Sequence, residues 1–290
     1  MIRSLLYVPA SEPRFIEKAH TRGADVVILD LEDAVAPSRK AAARDALADS
    51  VVQAGQSGAV VYVRINAEPE LRFLDAEAAC RAGAAGLLVP KTGSAAELAE
   101  LAGRLDPVER DLGRPAMEFI ALIEDPAALL DARAIAAGPR VVALALGSED
   151  FATATGAVPT PETLRLPKLL LHYAAKAAGL RSYGLLRSVA DYRDVEAMTA
   201  SAREARTFGF DGASCIHPAV VPILNQAFAP SEEELAWARK VVEADADARR
   251  EGKGAYLVDG RFVDAPVVER ARRMLGRAAP GPNSGAGGDR

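Results

Sequence analysis

Short apolar runs recur along the chain, each rich in Val, Ile or Leu and bounded by Gly, Pro or polar residues. They are "RSLLYVP", "DVVILDLED", "AVVYVRIN", "AGLLVPKT", "MEFIALIED", "RVVALALGSED", "RSYGLLRS" and "GASCIHP". Runs that stay apolar on successive residues suit strands covered on both faces, as in a parallel sheet flanked by helices. The stretches between them are richer in Ala, Leu and Arg at helical spacing. "EPRFIEKAHTRG" opens with Glu12 and Pro13 and closes with Gly23, the asymmetry expected of a helix. Two longer helices are predicted from Ser38 to Gly55 and from Asp191 to Gly209.

Roughly eight strand–helix repeats predict an α/β chain folded as a (β/α)8 TIM barrel, a fold of about 250 residues. A doubly wound sheet is the rival. It usually has fewer strands and a Gly-rich nucleotide turn after the first, which "YVPASEPR" does not offer. After the eighth run come a charged helix, "SEEELAWARKVVEADADARREG", a hairpin turning at Asp259-Gly260, and a helix from near Pro266. The pattern therefore divides the chain into a barrel at 1–230, a C-terminal extension at 231–277 and a tail at 278–290. The tail, "AAPGPNSGAGGDR", is Gly/Pro/Ser-rich and expected to be disordered.

Composition narrows the function. The chain has 290 residues, 50% of them hydrophobic, and a formal net charge of -5, which argues against nucleic acid as an obligate partner. A local cationic pocket for a small anion remains open. Cys80 and Cys215 are too few for a disulfide framework or a thiolate zinc site, so a reducing cytoplasm is the expected setting. No run approaches about 18 continuous apolar residues, so no membrane span is expected. The opening "MIRSLLYVPASEPR" turns polar too soon for a signal segment and reads as a first strand.

Candidate chemistry collects where the predicted strands end, the position of catalytic groups in a TIM barrel. Glu32 and Asp33 follow the second run, Arg64 and Asn66 the third, and Lys91 the fourth. Glu124 and Asp125 follow the fifth, Glu149 and Asp150 the sixth, and His217 the eighth. In "VVILDLEDAV" the acids Asp30, Glu32 and Asp33 come directly after an apolar run, where carboxylates need water, cations or a metal to offset desolvation. Oxygen ligands from several strands, without clustered His or Cys, suit Mg²⁺, which takes only one or two protein carboxylates. An Arg beside the metal grips a carboxylate in bidentate fashion. Together they would bind a 2-oxo or 2-hydroxy acid and stabilise an enolate.

Each residue also has an ordinary reading. Acids after strands cap the next helix, and Glu32 and Asp33 can simply pair with Lys40 or Arg64. His20, His172 and His217 read as structural, and Cys215 as inert core. Lys91 lacks the desolvated pocket that a Schiff-base lysine needs.

The same positions, with "RSLLYVPASEPRFIEKA", "ADVVILDLEDAVAPSRKAAAR", "VYVRIN", "LLVPKT", "LALGSEDFATATG", "FGFDGASCIHPAVV" and "GRFVDAP", resemble the citrate lyase beta subunit-like (CitE-like) branch of the HpcH/HpaI aldolase family. The resemblance runs to about Leu275. It implies a TIM barrel that binds Mg²⁺ and cleaves or forms a carbon–carbon bond in an acyl-CoA, like malyl-CoA, citramalyl-CoA or citryl-CoA lyases. By position it makes Glu124 and Asp150 the metal ligands and Arg64 the holder of the oxo-acid carboxylate. Glu32 and Asp33 would organise metal-bound water, and Arg14 and Lys18 would contact the CoA phosphates. Asp264 matches an acid that reaches into a neighbouring subunit's site to exchange a proton with the enolate carbon. Its ordinary reading is a helix cap before Pro266.

The resemblance further implies a homo-oligomer, a trimer or a multiple of one. Two alternatives stand beside it: an aldolase or synthase on a free 2-oxo acid without CoA, and a non-catalytic subunit that binds CoA esters. Two departures from the family pattern bear on the acyl substrate. Asp125-Pro126-Ala127-Ala128 follows Glu124 where Thr, a small residue and Gly are usual, and Ser182 or Tyr183 stands where an Asp is usual.

Overall fold

A computed structural model describes residues 1–278. Its strands are β1 (Ser4–Pro9), β2 (Val26–Asp30), β3 (Val60–Arg64), β4 (Gly86–Val89), β5 (Glu118–Ile123), β6 (Val141–Leu146), β7 (Arg181–Tyr183) and β8 (Ala213–Cys215). They lie parallel in the order β7-β6-β5-β4-β3-β2-β1-β8. The ring closes between β7 and β8. Tyr183 bridges Gly212, the Gly184 N–H donates to Gly212 O at 2.9 Å, and the Asp211 N–H donates to Ser182 O at 3.0 Å. Closure makes this a (β/α)8 barrel and excludes the open doubly wound sheet.

Successive side chains on a strand point to opposite faces, so each apolar run fills two layers. Leu5, Val26, Ile28, Tyr62, Leu88 and Leu122 pack together inside the ring. Their neighbours Leu6, Val27, Leu29, Val61, Val63 and Leu87 join the larger core shared with the helices. That phase has a consequence at the strand ends. Asp30 continues the row of Val26 and Ile28, Arg64 follows Tyr62, and Glu124 follows Ile120 and Leu122. Gly147 follows Ala143 and Ala145 in the same way.

The helices around the barrel are α1 (Pro13–Ala19), α2 (Lys40–Asp45), α3 (Leu47–Gly55), α4 (Pro69–Arg81), α5 (Ala95–Leu112), α6 (Pro126–Leu130), α7 (Ala132–Ala136), α8 (Ser148–Thr155), α9 (Pro161–Ala177), α10 (Val195–Phe208) and α11 (Val221–Phe228). The helix predicted from Ser38 to Gly55 is broken at Ala46, whose ψ of 0° ends α2 before α3 begins. The helix predicted from Asp191 begins at Val195, because Asp194 takes the cap and accepts the Ala197 N–H at 2.9 Å.

Among the described residues the chain divides into two compact units, 2–228 and 229–278. The second contains α12 (Glu232–Arg250), the antiparallel strands β9 (Ala255–Val258) and β10 (Arg261–Asp264), and α13 (Ala265–Ala278). Ser231 and Glu234 form a reciprocal cap at the start of α12. Asp259 and Gly260 both have positive φ, 46° and 75°, as a two-residue hairpin turn requires. Ala238, Val241, Val258, Val263, Val268 and Ala271 make its small core. The tail expected at 278–290 lies, apart from Ala278, outside the described residues. No helix among the described residues is long and apolar enough to cross a membrane.

Candidate active site at the carboxyl ends of the strands

β2 and β3 pair with Asp30 directly opposite Arg64. Asp30 is 1% exposed and grips the guanidinium with both oxygens, accepting from Nε at 2.7 Å and from Nη2 at 2.6 Å. It also accepts the N–H groups of Glu32 at 2.9 Å and Ala34 at 3.2 Å. One carboxylate therefore both aims Arg64 and folds the loop that carries Glu32 and Asp33. The remaining nitrogen, Nη1, donates to Asp33 Oδ2 at 3.0 Å and lies 3.0 Å from Glu32 Oε2. The Tyr7 ring sits 5.0 Å from the guanidinium carbon. Burial alone would lower the Arg64 pKa, but the Asp30 hydrogen bonds and the surrounding acids outweigh it and raise it.

Glu124 is also buried, held between β4 and β6. Its Oε2 accepts the Lys91 N–H at 2.6 Å. Lys91 reaches that position at φ 46°, in the left-handed region that side-chain-bearing residues seldom adopt. Thr92 fixes the turn, its hydroxyl donating to Val89 O at 2.8 Å and its N–H to Leu122 O at 3.1 Å. On the other side lies Gly147. A Cβ there would come within 2.6 Å of Glu124 Cγ and closer still to Oε1, so only glycine leaves room for the carboxylate.

The electrostatics of this rim are unbalanced. Both carboxylate oxygens of Glu32 are buried and accept no hydrogen bond, although Arg64 stands in ion-pair range. Burial pushes the Glu32 carboxyl up to about 7, with Arg64 and Lys91 opposing and Asp33 and Asp30 adding repulsion. Burial likewise pushes Glu124 up to about 8, helped by repulsion from Glu32 and Asp150 and opposed by the Lys91 N–H and Arg64. Asp150, in the first turn of α8, is half-buried. Glu124, Asp150, Asp33, Asp30 and Arg64 line one cavity of about 400 Å³, whose apolar wall includes Leu122, Ala145 and Leu185.

Among the described residues no three His, Cys, Asp or Glu side chains form a cluster able to hold a metal ion. That disfavours a zinc-type centre closed by protein ligands. A pair of carboxylates open to a cavity fits Mg²⁺, which keeps most of its shell for water and substrate. The bare oxygens of Glu32, and the burial and repulsion that raise Glu124, fit a site that takes a cation.

The other expected residues have their own surroundings. Arg14 and Lys18 are on the exposed face of α1 and do not line this cavity; Arg14 stacks on Phe15 at 4.6 Å. Asp264 belongs to the second unit, where its Oδ1 accepts the Val267 N–H at 3.3 Å in a helix-capping contact. Lys40 donates to Asn66 and not to Glu32 or Asp33, and Asn66 in turn donates to Asp75 at 2.6 and 2.9 Å. Asp125 caps α6 by accepting the Ala128 N–H at 3.0 Å. His217 accepts the Ala219 N–H at 3.2 Å and stacks on Tyr192 at 4.9 Å, and burial pushes the Cys215 thiol up to about 12.

Two contributors were not read from the sequence as site residues. Asp30 was visible only as one acid of a run; its strand phase and its register with Arg64 were the signal. Lys168 on α9 lines the cavity almost fully buried, with Nζ donating to Arg187 O at 2.7 Å, and burial drives its pKa down to about 7 against the attraction of Glu149. A lysine in the middle of an amphipathic helix carries no sequence mark that it turns inward.

Comparison with known proteins fits this geometry. The model of the HpcH/HpaI aldolase/citrate lyase family matches residues 3–218. The chain belongs to that family. It is 32% identical to citrate lyase subunit beta of Haemophilus influenzae over 285 residues, covering 96% of this chain and 97% of that protein. It is 34% identical to (3S)-malyl-CoA thioesterase of Cereibacter sphaeroides over 279 residues, covering 95% and 94%. CitE from Mycobacterium tuberculosis, solved in complex with magnesium, acetoacetate and coenzyme A, superposes with a TM-score of 0.75 at 35% identity, covering 95% of this chain and 97% of that one.

Proposed function

We propose that this family member is a Mg²⁺-dependent carbon–carbon lyase acting on a 3-hydroxyacyl-CoA of the malyl, citramalyl or citryl type. The products are a 2-oxo acid and an acyl-CoA, and the reverse direction is a condensation. The observation that carries the reading is the convergence of Glu124, from the end of β5, and Asp150, from the start of α8, on the cavity that holds Arg64. Glu124 and Asp150 hold the metal in this reading. Bound there, Mg²⁺ supplies a Lewis acid to the oxygens of the oxo-acid portion.

The chain's own groups do the rest. Asp30 keeps the guanidinium of Arg64 fixed along one edge, and Nη1 turns from the exposed Asp33 to the substrate carboxylate. Glu32 and Asp33 organise the water around the metal. The substrate hydroxyl gives its proton to that water as the carbon–carbon bond breaks, Asp264 of a neighbouring subunit delivers a proton to the carbon released as an enolate, and both transfers reverse in the condensation direction. That role makes the extension at 231–277 part of a subunit interface in a trimer or a multiple of one, with the barrel at 1–230 as the catalytic domain. Arg14 and Lys18 meet the CoA phosphates, and the protein works in the cytoplasm.

The test is turnover of malyl-, citramalyl- and citryl-CoA by purified protein, following 2-oxo acid and free thiol separately. The expected result is Mg²⁺-dependent 2-oxo acid without thiol. Thiol without oxo acid would replace the lyase by thioester hydrolysis, the activity for which the Cereibacter relative is named. Turnover undiminished in an Arg14→Ala, Lys18→Ala double variant would favour an aldolase acting without CoA. Calorimetric binding of CoA esters with no turnover would favour a silent subunit.

A further inference from the structure

Lys91 addresses the acidic cluster twice. Its backbone, at φ 46°, presents the N–H to Glu124 Oε2 at 2.6 Å. Its side chain turns to a second acid of the cluster, with Nζ 3.8 Å from Glu32 Oε1, one of the two oxygens that accept no hydrogen bond. Glu32, Asp150, Glu124 and Asp33 all act on its charge. The ammonium is nevertheless loosely held: no hydrogen bond ties it to Glu32, and its side chain is 51% exposed. Arg64 differs on each point, being 11% exposed and locked to Asp30 by two hydrogen bonds.

We infer that Lys91 is the counter-cation of the metal-free site: its ammonium occupies the place in charge that a divalent ion takes, and it withdraws into solvent when the ion binds. This rests on the metal reading of Glu124 and Asp150. A cation and a dication drawn to one acidic cluster repel each other, and a half-solvated pair without a hydrogen bond is weak enough to yield. The strained backbone stays in place throughout, because it orients Glu124 in both states. Lys91 thus sets metal affinity by competition, and removing its charge should tighten the metal where removing a supporting residue would loosen it.

The experiment is Mg²⁺ calorimetry on the full chain at low, fixed ionic strength, with melting of the metal-free and Mg²⁺-saturated forms. Lys91→Met keeps the backbone N–H and the side-chain length, and Lys91→Arg keeps the charge. Lys91→Met should bind Mg²⁺ about threefold to fivefold more tightly than wild type, the size of an exposed ion pair. The gap should close near about 1 M salt. Lys91→Arg should match wild type. Metal-free Lys91→Met should melt lower than wild type, while the saturated forms melt together. Equal or weaker Mg²⁺ binding by Lys91→Met, or a stability loss that is the same with and without Mg²⁺, would overturn the inference alone. Absence of Mg²⁺ binding by wild type would overturn the metal reading and this inference with it.

Discussion

The two ends of the barrel are built from the same eight strands and handle charge in opposite ways. At the amino end, Arg3 and Asp25 form a two-pronged pair at 2.9 and 2.8 Å, and Asp25 also accepts the Arg3 N–H at 2.7 Å. Arg140 meets both oxygens of Glu109 at 2.7 Å, and Tyr62 donates to Glu118. Acid and base are matched locally there. At the carboxyl end Asp30, Glu32, Asp33, Glu124 and Asp150 face Arg64 and Lys91, and the oxygens of Glu32 stay without a donor. Matched charge serves the fold, and surplus charge of one sign marks the place where a ligand of the other sign completes the site.

The sharpest break in that comparison is Glu124→Gln. Mg²⁺ binding should be lost and kcat/KM should fall by more than about 100-fold, since even supporting groups around a metal are worth 10- to 100-fold. Above about pH 8 the metal-free variant should melt no lower than wild type, because one of two repelling buried carboxylates is gone. Calorimetry, kinetics and melting read the three effects separately.

A pair of glycines contrasts the two ends. Gly147→Ala would push a methyl into Glu124 and should weaken Mg²⁺ binding by about 10- to 100-fold with little change in melting. Gly86→Ala would press on Tyr62 and the Glu118 carbonyl at the opposite end. It should cost about 1–3 kcal/mol of stability, read by denaturant unfolding, and leave Mg²⁺ affinity of the folded protein unchanged.

A smaller effect is carried by pH. Glu32 and Glu124 are raised from an ordinary 4.5 to about 7 and about 8 in the fold. Between those values the folded protein holds more protons than the unfolded chain, so metal-free stability falls as pH rises from about 4.5 through 8. The contribution is fully present below pH 4.5 and gone above about 8. Saturating Mg²⁺ should flatten the decline, and Glu124→Gln should remove the upper part of it; melting across pH with chelator and with Mg²⁺ checks both.

The barrel was legible because strands covered on both faces read as unbroken apolar runs. Less legible were β7 and β8, three residues each, whose sequence runs continue into their loops. Nothing in "SRKAAARDALADSVVQAG" announces the break at Ala46. At the site, acids after apolar runs stood out because desolvation makes them costly. The partnership of Asp30 with Arg64 needs the β2–β3 register, which a single strand does not show. Gly147 is required by Glu124, a residue just past the end of the neighbouring strand, and Lys168 reaches the cavity from a helix. Local pattern reports which groups are present; which of them meet is decided by pairing between strands.

Everything proposed for the site requires Glu124 and Asp150 to share one divalent ion beside Arg64. A crystal structure with Mn²⁺ as an anomalous stand-in for Mg²⁺ tests it most directly. A single strong peak is expected between the two carboxylates, with one oxygen of each at about 2.0–2.2 Å. A peak held by neither, or by only one with the other acid turned away, would contradict it.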